Sequence, residues 1–174
     1  DGVRRAEPNA GHRALAAFAQ RRPGVLTLVS QNVDDLHQRA GSVDTIRLHG
    51  DILQDTWLRP CAKRPACDAG GARDGVPPRC NECGNLVRPG VVWFGEVLPP
   101  AAIDAAQRAA QRCDVMLVVG TSGAVWPAAG LAARARQGGA RVVIVNPAPS
   151  EIDDEAHAVV RGTAAQVLPM LLAP

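Results

Sequence analysis

Two periodicities of apolar residues share this chain. Val25-Leu26-Thr27-Leu28-Val29 is a short β-branched run of the kind a buried strand uses, and residues 45–48, 91–96, 114–119, 141–145 and 158–160 repeat that character. Between these runs the apolar positions fall three or four apart. Leu15 and Phe18 share one face of a helix that follows Pro8-Asn9-Ala10-Gly11-His12 and runs to about Gln20, where Arg21-Arg22-Pro23-Gly24 stops it. A second helical pattern follows the stretch Ser30 to His37 and ends at Gly41, and a third spans residues 101–112 behind Pro99-Pro100. A fourth opens at Trp126-Pro127, with proline in the first turn, and closes at Gln137-Gly138-Gly139. After a turn at Gly162, a short helix passes through Leu168 to Leu172. Residues 114–119 are the most hydrophobic run and predict the central strand of a parallel sheet. Strands alternating with helices give an α/β, Rossmann-like parallel sheet, a fold that binds ligands beyond the carboxyl ends of its strands.

Residues 51–89 break the pattern. Their composition turns to Pro, Gly, Arg and Cys with little periodicity, and such a segment needs a staple because it buries little apolar surface by itself. Cys80-Asn81-Glu82-Cys83-Gly84-Asn85 reads as a zinc-ribbon knuckle, two thiolates two residues apart on one edge of a tetrahedron with a glycine for the tight turn. Cys61 and Cys67, with five residues between them, supply the other edge of a structural zinc site; the alternative is a degraded site whose cysteines are merely buried or free. The expected organisation is a sheet domain at residues 1–50 and 90–174, interrupted by a small zinc-binding module at 51–89. The chain enters directly on a helix, so the first βα unit of the sheet domain is expected to be missing.

Charge and composition then exclude several classes. Nineteen basic and seventeen acidic residues give a net charge of +2 with both signs interspersed, which makes no case for a nucleic-acid or membrane-surface partner. No apolar run approaches the roughly 20 residues of a membrane span, and no basic-then-apolar leader occurs, so a soluble, cytoplasmic protein is expected. The length of 174 residues suits one sizeable core with a satellite module. Oligomeric state is not legible.

The chemistry gathers at the predicted strand tips. Ser30-Gln31-Asn32-Val33-Asp34-Asp35-Leu36-His37 follows the first strand and Leu48-His49-Gly50 ends the second. Asn32 offers an amide that donates and accepts, Asp34 a charged acceptor, and together they could read a carboxamide or a ribose hydroxyl. His49 is a side chain poised to exchange a proton near neutrality, unless it is an ordinary core or turn histidine. Gly120-Thr121-Ser122-Gly123 ends another strand with small residues that let a phosphate or ribose approach. Asn146 stands at a further tip, as a ribose-binding group or as the start of an Asn-Pro turn. Residues 91–96 could take an extended peptide as an added strand, or be a core strand.

In their order and spacing these motifs resemble the sirtuin family of NAD-dependent protein deacylases over nearly the whole chain. The matching pieces are residues 8–13, 31–37 and 48–50, the cysteine module, Arg88-Pro89 with residues 91–96, Gly120-Thr121-Ser122, and the segment 162–169. Val92-Trp93-Phe94-Gly95-Glu96, with Gly120 to Gly123 and Pro127-Ala128-Ala129, is most similar to the bacterial and mitochondrial branch that removes acidic acyl groups. The resemblance implies that Gln31, Asn32, Val33 and Asp34 hold nicotinamide and its ribose and that His49 is the catalytic base. It implies adenosine contacts at Gly120, Thr121, Ser122, Asn146, Pro147, Ala148 and Ala164, and an acyl-lysine peptide along Val92, Trp93, Phe94, Gly95 and Glu96. It further implies NAD as co-substrate, one structural zinc, and nicotinamide, free lysine and O-acyl-ADP-ribose as products. The family's Gly-Ala-Gly phosphate loop and its Tyr-x-x-Arg acyl-recognition pair are expected upstream of residue 1. A non-catalytic NAD- or ADP-ribose-binding module, or a zinc-stapled interaction domain, is the alternative.

Overall fold

The structure is a computed structural model that describes residues 2–59, 61 and 73–174. Helix α1 (Gly2–Arg5) is a single turn, and α2 (Ala10–Arg21) is the first long element. Local chemistry sets its start: Asn9 accepts from the N–H groups of Gly11 and His12, and His12 Nδ1 accepts the Asn9 N–H in return. Strand β1 (Val29–Ser30) runs parallel to β2 (Ile46–Arg47), with the short helix α3 (Leu36–Arg39) in the crossover. The strand expected at residues 25–29 is confined to its last residue and extends one further, and Val25 lies 67% exposed, so β-branched character alone did not recruit it.

The chain then leaves the sheet through β3 (Gly50–Trp57), which pairs antiparallel with β6 (Val87–Val91) around a register shift between Asp51 and Asp55. Between them lies the small hairpin of β4 (Arg73–Asp74) and β5 (Arg79–Cys80). Residues 50–57 thus gain their strand from a partner thirty or more positions away, which is why that part of residues 51–89 looked aperiodic. After α4 (Pro100–Arg112) come β7 (Val115–Val119), α5 (Gly130–Gln137), β8 (Arg141–Val145), β9 (Ala158–Val160) and α6 (Ala164–Leu171). Strands β7, β8 and β9 form a parallel sheet with β8 in the middle. The more hydrophobic β7 is therefore not central: Val115 is 55% exposed, whereas Val142 and Val145 of β8 are fully buried. Residues 126–129 form turns, with Ala129 N–H donating to Val125 O, and α5 begins only at Gly130.

The main core joins Leu48, at the end of β2, to Ala106 and Ala110 of α4, Leu131, Ala132 and Ala135 of α5, and Val142 of β8. Helices α2 and α6 pack together where Gly11 has no side chain; a Cβ there would sit 2.8 Å from the Ala164 carbonyl oxygen. Among the described residues no helix is long and apolar enough to cross a membrane.

Candidate active site

The two parallel strands place the site, since β1 and β2 end side by side and Leu48 N–H donates to Ser30 O at 2.9 Å. That bond sets residues 31–34 against residues 49–51. His49 Nδ1 lies 2.8 Å from the Gln31 carbonyl oxygen. A carbonyl can only accept, so Nδ1 carries a proton, and in the neutral ring the lone pair is on Nε2. The His49 carbonyl in turn accepts the Val92 N–H at 2.9 Å. One residue therefore touches both the loop after β1 and the segment after β6.

The loop itself is held residue by residue. Asn32 N–H donates to Ser30 Oγ, leaving its amide side chain exposed, and Val33 O accepts the Ile52 N–H. Asp34 Oδ1 accepts the Leu36 N–H at 3.0 Å, so one carboxylate oxygen anchors the entry to α3. Arg47, to which sequence reasoning assigned no role, donates from Nη2 to Val33 O at 3.0 Å and Asp34 O at 2.6 Å, and from Nη1 to Asp51 Oδ2 at 2.6 Å. The available signal was an arginine between the apolar Ile46 and Leu48 of a short strand. Nearby, the rings of His12 and His37 meet at a centroid distance of 4.6 Å. Burial lowers the pKa of both; His12 lowers that of His37 further, while the Asp34 charge opposes the shift in each.

Residues 92–96 are not a strand. Strand β6 stops at Val91, and residues 93–96 turn back, with Glu96 N–H donating to Trp93 O and Gly95 at φ +87°. The Glu96 carboxylate closes the turn by accepting the Trp93 N–H at 2.9 Å and an Arg88 Nη2 bond at 2.7 Å, and the Arg88 guanidinium covers the Trp93 ring at 4.3 Å. Trp93 is 48% and Phe94 97% exposed. The Trp93 N–H, followed by Arg88, holds the Glu96 pKa below the ordinary carboxylate value. The closed turn is thus present at and above the usual glutamate range and is lost as pH falls through the lowered value. An acid titration of tryptophan fluorescence should show a transition below pH 4.5 that disappears in Glu96→Gln.

Three loops assemble a second half-site. Gly120, at φ +61° on the tip of β7, has nothing within 4 Å of where a Cβ would stand. Thr121 O accepts from Nδ2 of the buried Asn146 at 2.8 Å, and Ser122 O accepts the Glu151 N–H at 2.8 Å. Arg161 Nη1 donates to Ala148 O at 2.8 Å, and its Nη2 pairs with Asp153, tying the loop containing Asn146, Pro147 and Ala148 to the approach to Ala164. The hydroxyls of Thr121 and Ser122 each accept an N–H two residues on.

In the cysteine module, Cys61 and Cys83 pack against a small core of Trp57, Cys80 and Val87. The knuckle is closed by Gly84 N–H to Cys80 O at 2.8 Å and Cys80 N–H to Asn85 O at 2.9 Å, with Gly84 at φ +68°. Cys67 lies outside the described residues. Among the described residues no three His, Cys, Asp or Glu side chains form a group that could hold a metal.

Comparison with known proteins gives one consistent answer. A model of the Sir2 family matches residues 2–127. An NAD-dependent protein deacylase of Ralstonia nicotianae is 53% identical over 171 residues, covering 98% of this chain and 68% of the relative. One from Methylococcus capsulatus is 51% identical over 175 residues with the same coverage. Among solved structures, a Sir2 homologue in complex with NAD superposes with a TM-score of 0.85 at 40% identity, covering 98% of this chain and 65% of that one. Sir2Tm bound to a propionylated peptide superposes with a TM-score of 0.86 at 30% identity, covering 98% and 72%.

Proposed function

This chain belongs to the Sir2 family of NAD-dependent protein deacylases, and we propose that His49 is the general base of its reaction, taking a proton at Nε2 from a ribose hydroxyl. The observation that carries this reading is the position of His49, bonded through Nδ1 to Gln31 and through its carbonyl to Val92. With Nδ1 donating to Gln31, the neutral ring presents Nε2 as its acceptor, which general-base work requires. NAD supplies an anomeric carbon from which nicotinamide can leave. Gln31, Asn32, Val33 and Asp34 line the nicotinamide and ribose end; Gly120, Thr121, Ser122, Asn146, Pro147, Ala148 and Ala164 line the adenosine end. The open space above Gly120 and the bonds joining residues 121, 146 and 148 to their neighbours fit a ligand laid across strand tips.

The acyl-lysine peptide lies along Val92, Trp93, Phe94, Gly95 and Glu96, beside the base and on a surface with exposed aromatic side chains. Incubating the chain with NAD and acetylated or succinylated peptides tests the assignment. Nicotinamide release that requires both the acyl peptide and His49 is the expected result, and binding of NAD without release would overturn it.

The module at residues 51–89 is a zinc-binding insert in the Rossmann-like domain formed by 1–50 and 90–174, with zinc held by Cys61, Cys67, Cys80 and Cys83. Three of those thiols approach one small core, and the knuckle around Gly84 has the tight turn such a ligand pair needs. Four thiolate ligands would close the site, so the metal would staple the module and take no part in the chemistry. The purified chain should carry one zinc, and chelation should lower its melting temperature by roughly 5 °C or more. Metal analysis of Cys80→Ser and Cys83→Ser checks the ligands: undiminished zinc would remove the assignment.

A further inference from the structure

We propose that Arg47 is a positioning residue that holds the nicotinamide-ribose loop in its binding shape. The inference rests on the assignment of residues 31–34 to that pocket. Ile46 and Leu48 face the core, so strand alternation puts Arg47 on the opposite side of β2. From there its guanidinium reaches two successive carbonyls, Val33 O and Asp34 O, while Asp51 holds the other arm. Asp51 is itself oriented, because its second oxygen accepts the Leu53 N–H at 2.8 Å.

The consequence is a loop gripped from β2, the strand that leads into the base. Gln31 is held by the His49 ring and residues 33–34 by the Arg47 fork, so Asn32 and Asp34 are presented at a set distance from His49. Val33 O keeps an independent bond from the Ile52 N–H, but the only hydrogen bond recorded to Asp34 O among the described residues is that of Arg47. A planar fork satisfies two acceptors and a carboxylate at once, which a lysine ammonium cannot do with the same geometry.

Arg47 Nε is buried without a hydrogen-bond partner, so the grip is made entirely by the two Nη groups. Removing the arginine alone would leave the Asp34 carbonyl and one Asp51 oxygen without that donor.

Steady-state kinetics with NAD and an acyl peptide test this, using Arg47→Met, Arg47→Lys and Asp51→Asn. Removing hydrogen bonds from a charged donor should raise the KM for NAD by about tenfold in Arg47→Met and raise the nicotinamide concentration needed for product inhibition in parallel. The KM for the acyl peptide should stay within about twofold, since Val92 bonds to His49 and the Arg47 fork bonds to Val33, Asp34 and Asp51. Arg47→Lys and Asp51→Asn should fall between wild type and Arg47→Met. An unchanged NAD KM, with kcat falling only as the folded fraction falls, would show a merely structural arginine and overturn the proposal. If the wild-type chain releases no nicotinamide, the catalytic reading fails separately. NAD calorimetry then decides the Arg47 claim, with weaker binding by Arg47→Met supporting it and equal affinity, or no binding by the wild type, overturning it.

Discussion

Replacing His49 by alanine is expected to lower peptide-dependent nicotinamide release by about 100- to 10,000-fold, the span that a positioned general base contributes. The backbone bond from Val92 N–H to the His49 carbonyl survives the substitution, so the peptide-side segment keeps its place. The loss on the other side is a single ring contact to Gln31 O. Leu48 N–H still donates to Ser30 O, and the loop keeps its bonds to Arg47 and Ile52. The defect should therefore appear in kcat with the folded state intact. Chromatographic measurement of nicotinamide, beside circular dichroism of the same preparations, checks it; a variant with a near-normal rate removes His49 from the chemistry.

Leu48→Ala should produce the opposite division. Its side chain is fully buried and packs into the cluster built from α4, α5 and β8. Truncating a buried leucine costs about 2–5 kcal/mol, from lost transfer energy and from the cavity left behind. Against a total stability on the order of 5–15 kcal/mol this is a large fraction. Urea denaturation should show a lower midpoint with little change in slope. Activity per folded molecule should fall far less than in His49→Ala, because backbone bonds, not the leucine side chain, seat the histidine. Neighbouring positions in the bend after β2 thus separate folding from chemistry.

Much of this was legible before any coordinates. The helix after Asn9, the helix after the Gly162 turn and the strand at residues 141–145 depend on near neighbours in sequence, and all lie where the local pattern puts them. Ser30 to Asp34 and His49 were likewise identified from residue type and spacing, and the structure brings the two segments into contact. Other expectations needed information that local pattern does not hold. Residues 114–119 have the composition of a central strand, yet position within a sheet depends on which strands pair, and β8 takes the middle. Residues 91–96 have strand composition, but one carboxylate accepting from Trp93 N–H and from Arg88 folds residues 93–96 into a turn. Residues 51–57 seemed irregular until paired with residues 87–91.

By itself, then, the amino-acid sequence determined the alternation of helices and parallel strands in the sheet domain, the polar groups available at the strand tips and the sirtuin resemblance. All of these follow from residue type and from spacing along the chain. Only the tertiary structure decided which nitrogen of His49 carries the proton, which strand is central, and that Arg47 grips the loop beside the base. Each of those depends on a partner brought close by folding: a carbonyl eighteen residues from His49, a neighbouring strand, and carbonyls thirteen and fourteen residues from Arg47. Hydrogen bonding is directional and short-ranged, so these assignments exist only once the backbone has placed donor and acceptor within reach.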